Sequence, residues 1–219
     1  MNKEIAFVKI NGEENTIIRD KFGISAYPTM VLLNKQGEEI DRIIGYEPPV
    51  EFINTITMYL EGKGTLQDYL ERVEASPDSI ELIFTLGEKY EGRNERDKAM
   101  DYYERVIRMD PQNENGFTAK ATHSMSWLSY RNGDIPRAIE WEEAIIEKYQ
   151  DSELYADAHT YIPYYYMQWA QQAEKAGERS SARAYRRTAI ERFETFIDKF
   201  PEHSDVEWAK EQVDKLKES

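Results

Sequence analysis

Ile83-Phe84-Thr85-Leu86-Gly87-Glu88-Lys89-Tyr90, followed by Ala99 and Tyr103 and then by Pro111, is the stretch whose spacing decides the fold. Ile83, Leu86, Gly87 and Tyr90 stand at the i, i+3, i+4 and i+7 positions of one helical face. Ala99 and Tyr103 share a face of a second helix, and Pro111 ends it because proline has no N–H for the next rung. Small Gly87 and Ala99 let the two helices approach closely, while Ile83, Leu86, Tyr90 and Tyr103 fill the space around them. Such a hairpin has an apolar face that needs a neighbour to cover it.

This pattern resembles the tetratricopeptide (TPR) repeat, with isoleucine in place of its usual tryptophan. A second hairpin is marked by Gly133-Asp134-Ile135-Pro136-Arg137-Ala138-Ile139, where Asp134 can cap and Pro136 fits the first turn. Met125, Trp141, Ile145 and Ile146 are its packing residues. A third uses Tyr166, Trp169, Ala170, Ala173 and Gly177 on its first helix and Ala189, Phe193, Phe196 and Pro201 on its second. The intervals from Ala99 to Ala138 and from Ala138 to Ala189 exceed the ideal period of about 34 residues, so the later helices or turns are lengthened. Pro163 either kinks a helix or marks its start, and a kink is preferred. Val206, Ala209, Val213 and Leu216 give residues 204–216 the form of a capping helix.

Upstream, the β-rich run Ile5-Ala6-Phe7-Val8-Lys9-Ile10 is bounded by Asn11-Gly12, and residues 13–22 carry Ile17, Ile18 and Phe22 at helical spacing before Gly23. Residues 29–33 and 39–44, joined through Asn34-Lys35-Gln36-Gly37, read as a hairpin. Pro48 and Pro49 open a helix with a stripe of Val50, Ile53, Ile56, Thr57 and Leu60. The order is β-α-β-β-α. Lys21-Phe22-Gly23-Ile24-Ser25-Ala26-Tyr27-Pro28-Thr29-Met30-Val31-Leu32-Leu33, with Gly45 after the last strand, resembles the second half of a thioredoxin fold. That resemblance implies a cis peptide bond at Pro28. The half of that family that carries Cys-x-x-Cys has no counterpart here. Two readings stand: Met1 is an internal boundary of a longer thioredoxin-like protein, or the half-domain is complete and docked on the helices. Under the second reading, a homodimer through the open sheet is the natural hypothesis.

The expected class is α+β then all-α: a partial thioredoxin-like β-α-β-β-α unit over residues 1–62, a docking helix and connector over 63–78, and a TPR-like α-solenoid with a capping helix over 79–219. Thr65 caps the connecting helix, whose Leu66, Tyr69, Leu70 and Val73 form its apolar face.

A net charge of −14 argues against nucleic acid and anionic lipid as partners, because such binding needs clustered cations to displace counterions. The apolar runs are too short to span a bilayer, and the first residues lack the pattern of a signal peptide, so a cytoplasmic location is expected for the chain as written. Zero cysteine removes thiol and zinc-thiolate chemistry from this chain. His123, His159 and His203 have no neighbouring His or Cys at metal-ligand spacing, so neither metal nor cofactor is expected. Glu140, Glu142 and Glu143 are read as a solvated face, and Gly62-Lys63-Gly64 as a turn rather than a phosphate loop. No catalytic constellation emerges, and an enzyme is not expected.

Tyr161, Tyr164, Tyr165, Tyr166 and Trp169 are too dense for one buried stripe, since successive helical residues point about 100 degrees apart. The TPR resemblance implies a concave, peptide-binding face on the inner helices. Carried onto this sequence, it points to Phe84, Glu88, Lys120, His123, Trp127, Tyr130, Arg131, Tyr164, Met167 and Gln171. Packing of several of these against neighbouring elements is the competing reading. An aromatic, weakly basic groove on an acidic protein suits an extended peptide with apolar anchors and some negative charge. Phe84 and Glu88 occupy inner-helix places where receptors of chaperone tails carry lysine and asparagine, which disfavours that role. The expected function is a scaffold or adaptor for a protein or peptide partner, with a redox-inactive thioredoxin-like part. The alternative is a truncated thiol-disulfide oxidoreductase whose active-site half precedes Met1.

Overall fold

The computed structural model describes residues 5–218, which divide into two compact units, one ending at Tyr102 and the other beginning at Tyr103. The absence of a signal-peptide pattern at the first residues concerns positions 1–4, outside the described residues.

In the first unit, α1 (Thr16–Lys21) precedes the antiparallel hairpin of β1 (Thr29–Leu33) and β2 (Glu39–Ile44). The turn between the strands is closed by Asn34, whose side-chain oxygen accepts from the N–H groups of Gln36 and Glu38. Next come α2 (Pro49–Leu60), α3 (Leu66–Ala75) and α4 (Ile80–Glu91). Thr65 accepts from the N–H of Asp68, while the Asp68 carboxylate accepts from Gly64, so the entry to α3 is fixed from both sides. Ile83, Leu86, Gly87 and Tyr90 form the buried face of α4, as their spacing requires. Then α5 (Arg96–Met109) begins, and Tyr102 stacks on Tyr90 at 5.5 Å. The Tyr27–Pro28 peptide bond is cis.

Two sequence expectations for this unit fail. Residues 5–10 form no strand: β propensity makes a strand only where the backbone pairs, and in the sheet of the described residues β1 and β2 pair with each other alone. The helix expected over 13–22 contracts to α1, with Asn15 at its N-cap. Gly23 then takes φ +58, with the carbonyl of Arg93 only 2.5 Å from where a Cβ would stand, so a side chain is excluded there twice over.

The second unit continues with α6 (Phe117–Arg131), α7 (Ile135–Lys148), α8 (Tyr155–Lys175), α9 (Arg179–Lys199) and α10 (Val206–Glu218). Asp134 caps α7 by accepting from the N–H of Arg137, with Pro136 in the first turn. Pro163 is buried inside the continuous α8, so it does not mark that helix's start. Successive helices pack in sequence order: α6 on α7, α7 on α8, α8 on α9 and α9 on α10. One cluster joins Ile135, Ala138, Ile139, Ile162 and Tyr165, and another joins Phe193 and Phe196 to Val206, Ala209 and Val213. Ala189 and Phe193, spaced four apart on α9, are completely buried. The fold is α+β followed by an all-α, TPR-like solenoid.

Candidate interaction site

Charge is concentrated inside the first unit. Asp41 on β2 is 0 % exposed, yet it is ionically paired on both oxygens. Its Oδ1 accepts from Arg93 Nη2 at 2.9 Å and from the Arg42 backbone N–H at 2.7 Å. Its Oδ2 accepts from Lys89 Nζ at 3.0 Å and from the N–H of Leu66, in the first turn of α3, at 2.6 Å. Arg42 forms a two-pronged bond to Glu39 and donates through Nη1 to the Gly92 carbonyl at 2.8 Å. Tyr59 of α2 donates to the Arg42 carbonyl and accepts from Lys89. Three cations thus meet two carboxylates, and burial pulls the Lys89 ammonium below its ordinary pKa against the upward pull of Asp41. This network ties β2, α2, α3 and α4 together.

In the second unit, three of the residues expected on the concave face form an aromatic series. Trp127 and Tyr130 of α6 lie 5.5 Å apart, and Tyr130 meets Tyr164 of α8 edge-on at 5.7 Å, with their hydroxyls 3.2 Å apart. Burial, then the Tyr164 hydroxyl, pushes the Tyr130 phenol up to about 12. Trp208 of α10 continues the series at 6.5 Å from Tyr164. Lys120 pairs with Glu153 at 2.9 Å on the surface, Arg131 and Gln171 are exposed, and Met167 is 7 % exposed, a packing residue rather than a lining one. Phe84, also 7 % exposed, and the exposed Glu88 belong to the first unit.

The reading that leaves Glu142 in solvent is wrong. Glu142 is 0 % exposed and its Oε1 lies 2.9 Å from His123 Nδ1, while Oε2 has no partner among the described residues. Glu140 is exposed and Glu143 intermediate, as a solvated face requires. The signal was in the spacing: Ile135, Ala138, Ile139, Glu142 and Ile145 are one helical stripe, and a glutamate within it has to be buried. The His123 ring also meets Tyr161 edge-on at 4.6 Å. Burial first and Glu142 second raise the phenols of Tyr161 and Tyr165.

Spacing also missed that His203 lies beside two carboxylates, Asp157 and Asp205, with the three ligand-type atoms within 4.8 Å. The Asp205 N–H donates to His203 Nδ1 at 3.2 Å, which leaves the proton on Nε2, facing Asp157 Oδ1 at 3.1 Å. That is the hydrogen bonding of a structural imidazole. Elsewhere His159, Ile162, Glu191, Arg192 and Thr195 line a cavity of about 310 Å³. Lys199 donates to His159 Nε2 at 3.2 Å. Burial, then Lys199 and Arg192, push this histidine down to about 4.

No protein-family model matches the chain. Thioredoxin 1 of Synechococcus elongatus is 30% identical over 57 residues, which are 26% of this chain and 52% of that protein. A thioredoxin of Pyropia yezoensis is 36% identical over 56 residues, 26% of this chain and 51% of its own length. The chain therefore spans about half the length of the curated relatives it matches. The helices are TPR-like. The crystal structure of a Podosopora anserina kinesin light chain with nearly identical TPR-like repeats superposes with a TM-score of 0.51 at 12% identity, covering 76% of this chain and 81% of that one. At that identity the likeness speaks for the fold alone.

Proposed function

We propose that the chain is an interaction adaptor that holds an extended peptide against α6 and α8, with the αβ part acting structurally. The observation that carries this reading is the partly exposed series Trp127, Tyr130 and Tyr164, set beside His123 with the buried Glu142 behind it. Adjacent aromatic rings give a peptide large anchors at low entropic cost. Arg131 and Lys120 add positive charge on a chain of net charge −14, which favours ligands bearing Asp or Glu between apolar residues. The exposed Lys120–Glu153 pair is worth little, so a ligand carboxylate can replace Glu153 cheaply. The proposed organisation is residues 1–62, a connector at 63–78 and repeats over 79–219. Among the described residues no helix is long and apolar enough to cross a membrane.

The test is selection of binders from a displayed peptide library, followed by titration of the best peptide. Trp127→Ala with Arg131→Ala is expected to weaken binding at least about tenfold, whereas Arg187→Ala, on exposed α9 surface, is expected to leave it unchanged. Equal affinity in all three proteins contradicts the reading. The half-length thioredoxin match favours a second reading, in which the αβ part belongs to a longer thiol-disulfide oxidoreductase. Since this chain has no cysteine, the redox groups would have to come from other polypeptide.

A further inference from the structure

Ile5-Ala6-Phe7-Val8-Lys9-Ile10 is apolar at both sets of alternating positions, the pattern of a strand covered on both faces. Instead it forms no strand, with Phe7 75 % and Val8 80 % exposed. The same unit offers an edge for such a strand. The Gly45 N–H donates to the Pro28 carbonyl, and the register pairs Met30 with Ile43 and Leu32 with Asp41. Alternation along an antiparallel ladder then turns the N–H and C=O groups of Thr29 and Val31 away from β2. No third strand stands on that side among the described residues. β1 also lacks the lysine or proline that usually protects an open edge.

We propose that two copies of this chain associate by reciprocal exchange, residues 5–10 of each adding as a strand along the open edge of β1 in the other. Three observations favour a second copy over another occupant. Donor and acceptor occur in one chain at matching lengths, six residues against five. A two-fold exchange satisfies both at once and closes, leaving no free end to propagate. The net charge of −14 opposes contact between copies over most of the surface, but the exchanged strand and β1 together carry one charged side chain, Lys9. This dimer is independent of the peptide groove, and either can fail without the other.

Sedimentation of the purified chain across about a hundredfold range of concentration tests it. The expected result is a monomer–dimer equilibrium, with amides of residues 5–10 protected from exchange only where the dimer is populated. Val31→Pro removes an N–H that points away from β2, so it should raise the dimer dissociation constant at least about tenfold while β1 and β2 stay paired. Phe7→Glu acts on the donor, outside any helix or strand, and should do the same even if the proline variant folds poorly. A chain that is monomeric throughout, or a dimer that persists in both variants, overturns the proposal; a strict monomer would assign the exposed face to a different occupant.

Discussion

Among residues 5–60, the fully buried side chains are those of Asp41, Arg42 and Ile43, while Phe7, Val8, Ile17, Tyr46, Val50 and Ile53 are each more than 60 % exposed. The helices α8 to α10 show the reverse: Tyr165, Phe193 and Phe196 are completely buried and the charged residues lie mostly outside. Two means of cohesion therefore operate in one chain. The helical unit is held by apolar burial between neighbours. The αβ part is held by a buried ionic network, which repays its desolvation only while every member keeps its partners.

The largest effects should come from removing one member of either system. Phe193→Ala is expected to cost roughly 3–5 kcal/mol in urea unfolding of the helical unit, because it empties a closed site between α9 and α10. Asp41→Asn should cost about 3 kcal/mol in the αβ part, since Lys89 and Arg93 lose the carboxylate they share. A cost below about 1 kcal/mol would break the comparison, because it would mean that apolar contacts carry the αβ part after all. An intermediate effect is expected for Glu142→Gln, about 1–2 kcal/mol in urea unfolding of the helical unit, because the buried bond to His123 is weakened.

The same truncation made in both regions sharpens the contrast. Ile145→Ala, at a site 0 % exposed, should cost about 2–5 kcal/mol, whereas Ile53→Ala, 62 % exposed, should stay within about 0.5 kcal/mol. The pH dependence has a definite sign at His159, whose folded pKa of about 4 lies below its ordinary 6.5. The unfolded chain binds the proton first, so its contribution is complete above pH 6.5 and is lost as pH falls from there towards 4. Unfolding titrations at several pH values should show that decline, and His159→Gln should flatten it.

The hairpin positions were legible in the sequence because small and large residues at fixed helical spacing leave few alternatives, and Ile83, Leu86, Gly87, Tyr90, Ala99 and Tyr103 are all buried. The ionic network was not legible: β2 displays Ile40, Ile43 and Ile44, and nothing local says that Asp41 meets Lys89 and Arg93, 48 and 52 residues further on. Residues 5–10 misled for a related reason, since the pairing partner of a strand cannot be read from its own propensity. In the candidate site, the TPR resemblance pointed to Trp127, Tyr130 and Tyr164, which lie side by side. It missed Trp208, which joins the series through the packing of α10 against α9.

The most direct test is amide exchange in the intact protein and in Asp41→Asn, followed segment by segment. The expected result is accelerated exchange across β1, β2 and the first turn of α3, with α8 and α9 unchanged. Unaltered protection of β1 and β2, or loss spread equally over α8 and α9, would contradict the claim that a buried charge network holds the αβ part while apolar packing holds the helices.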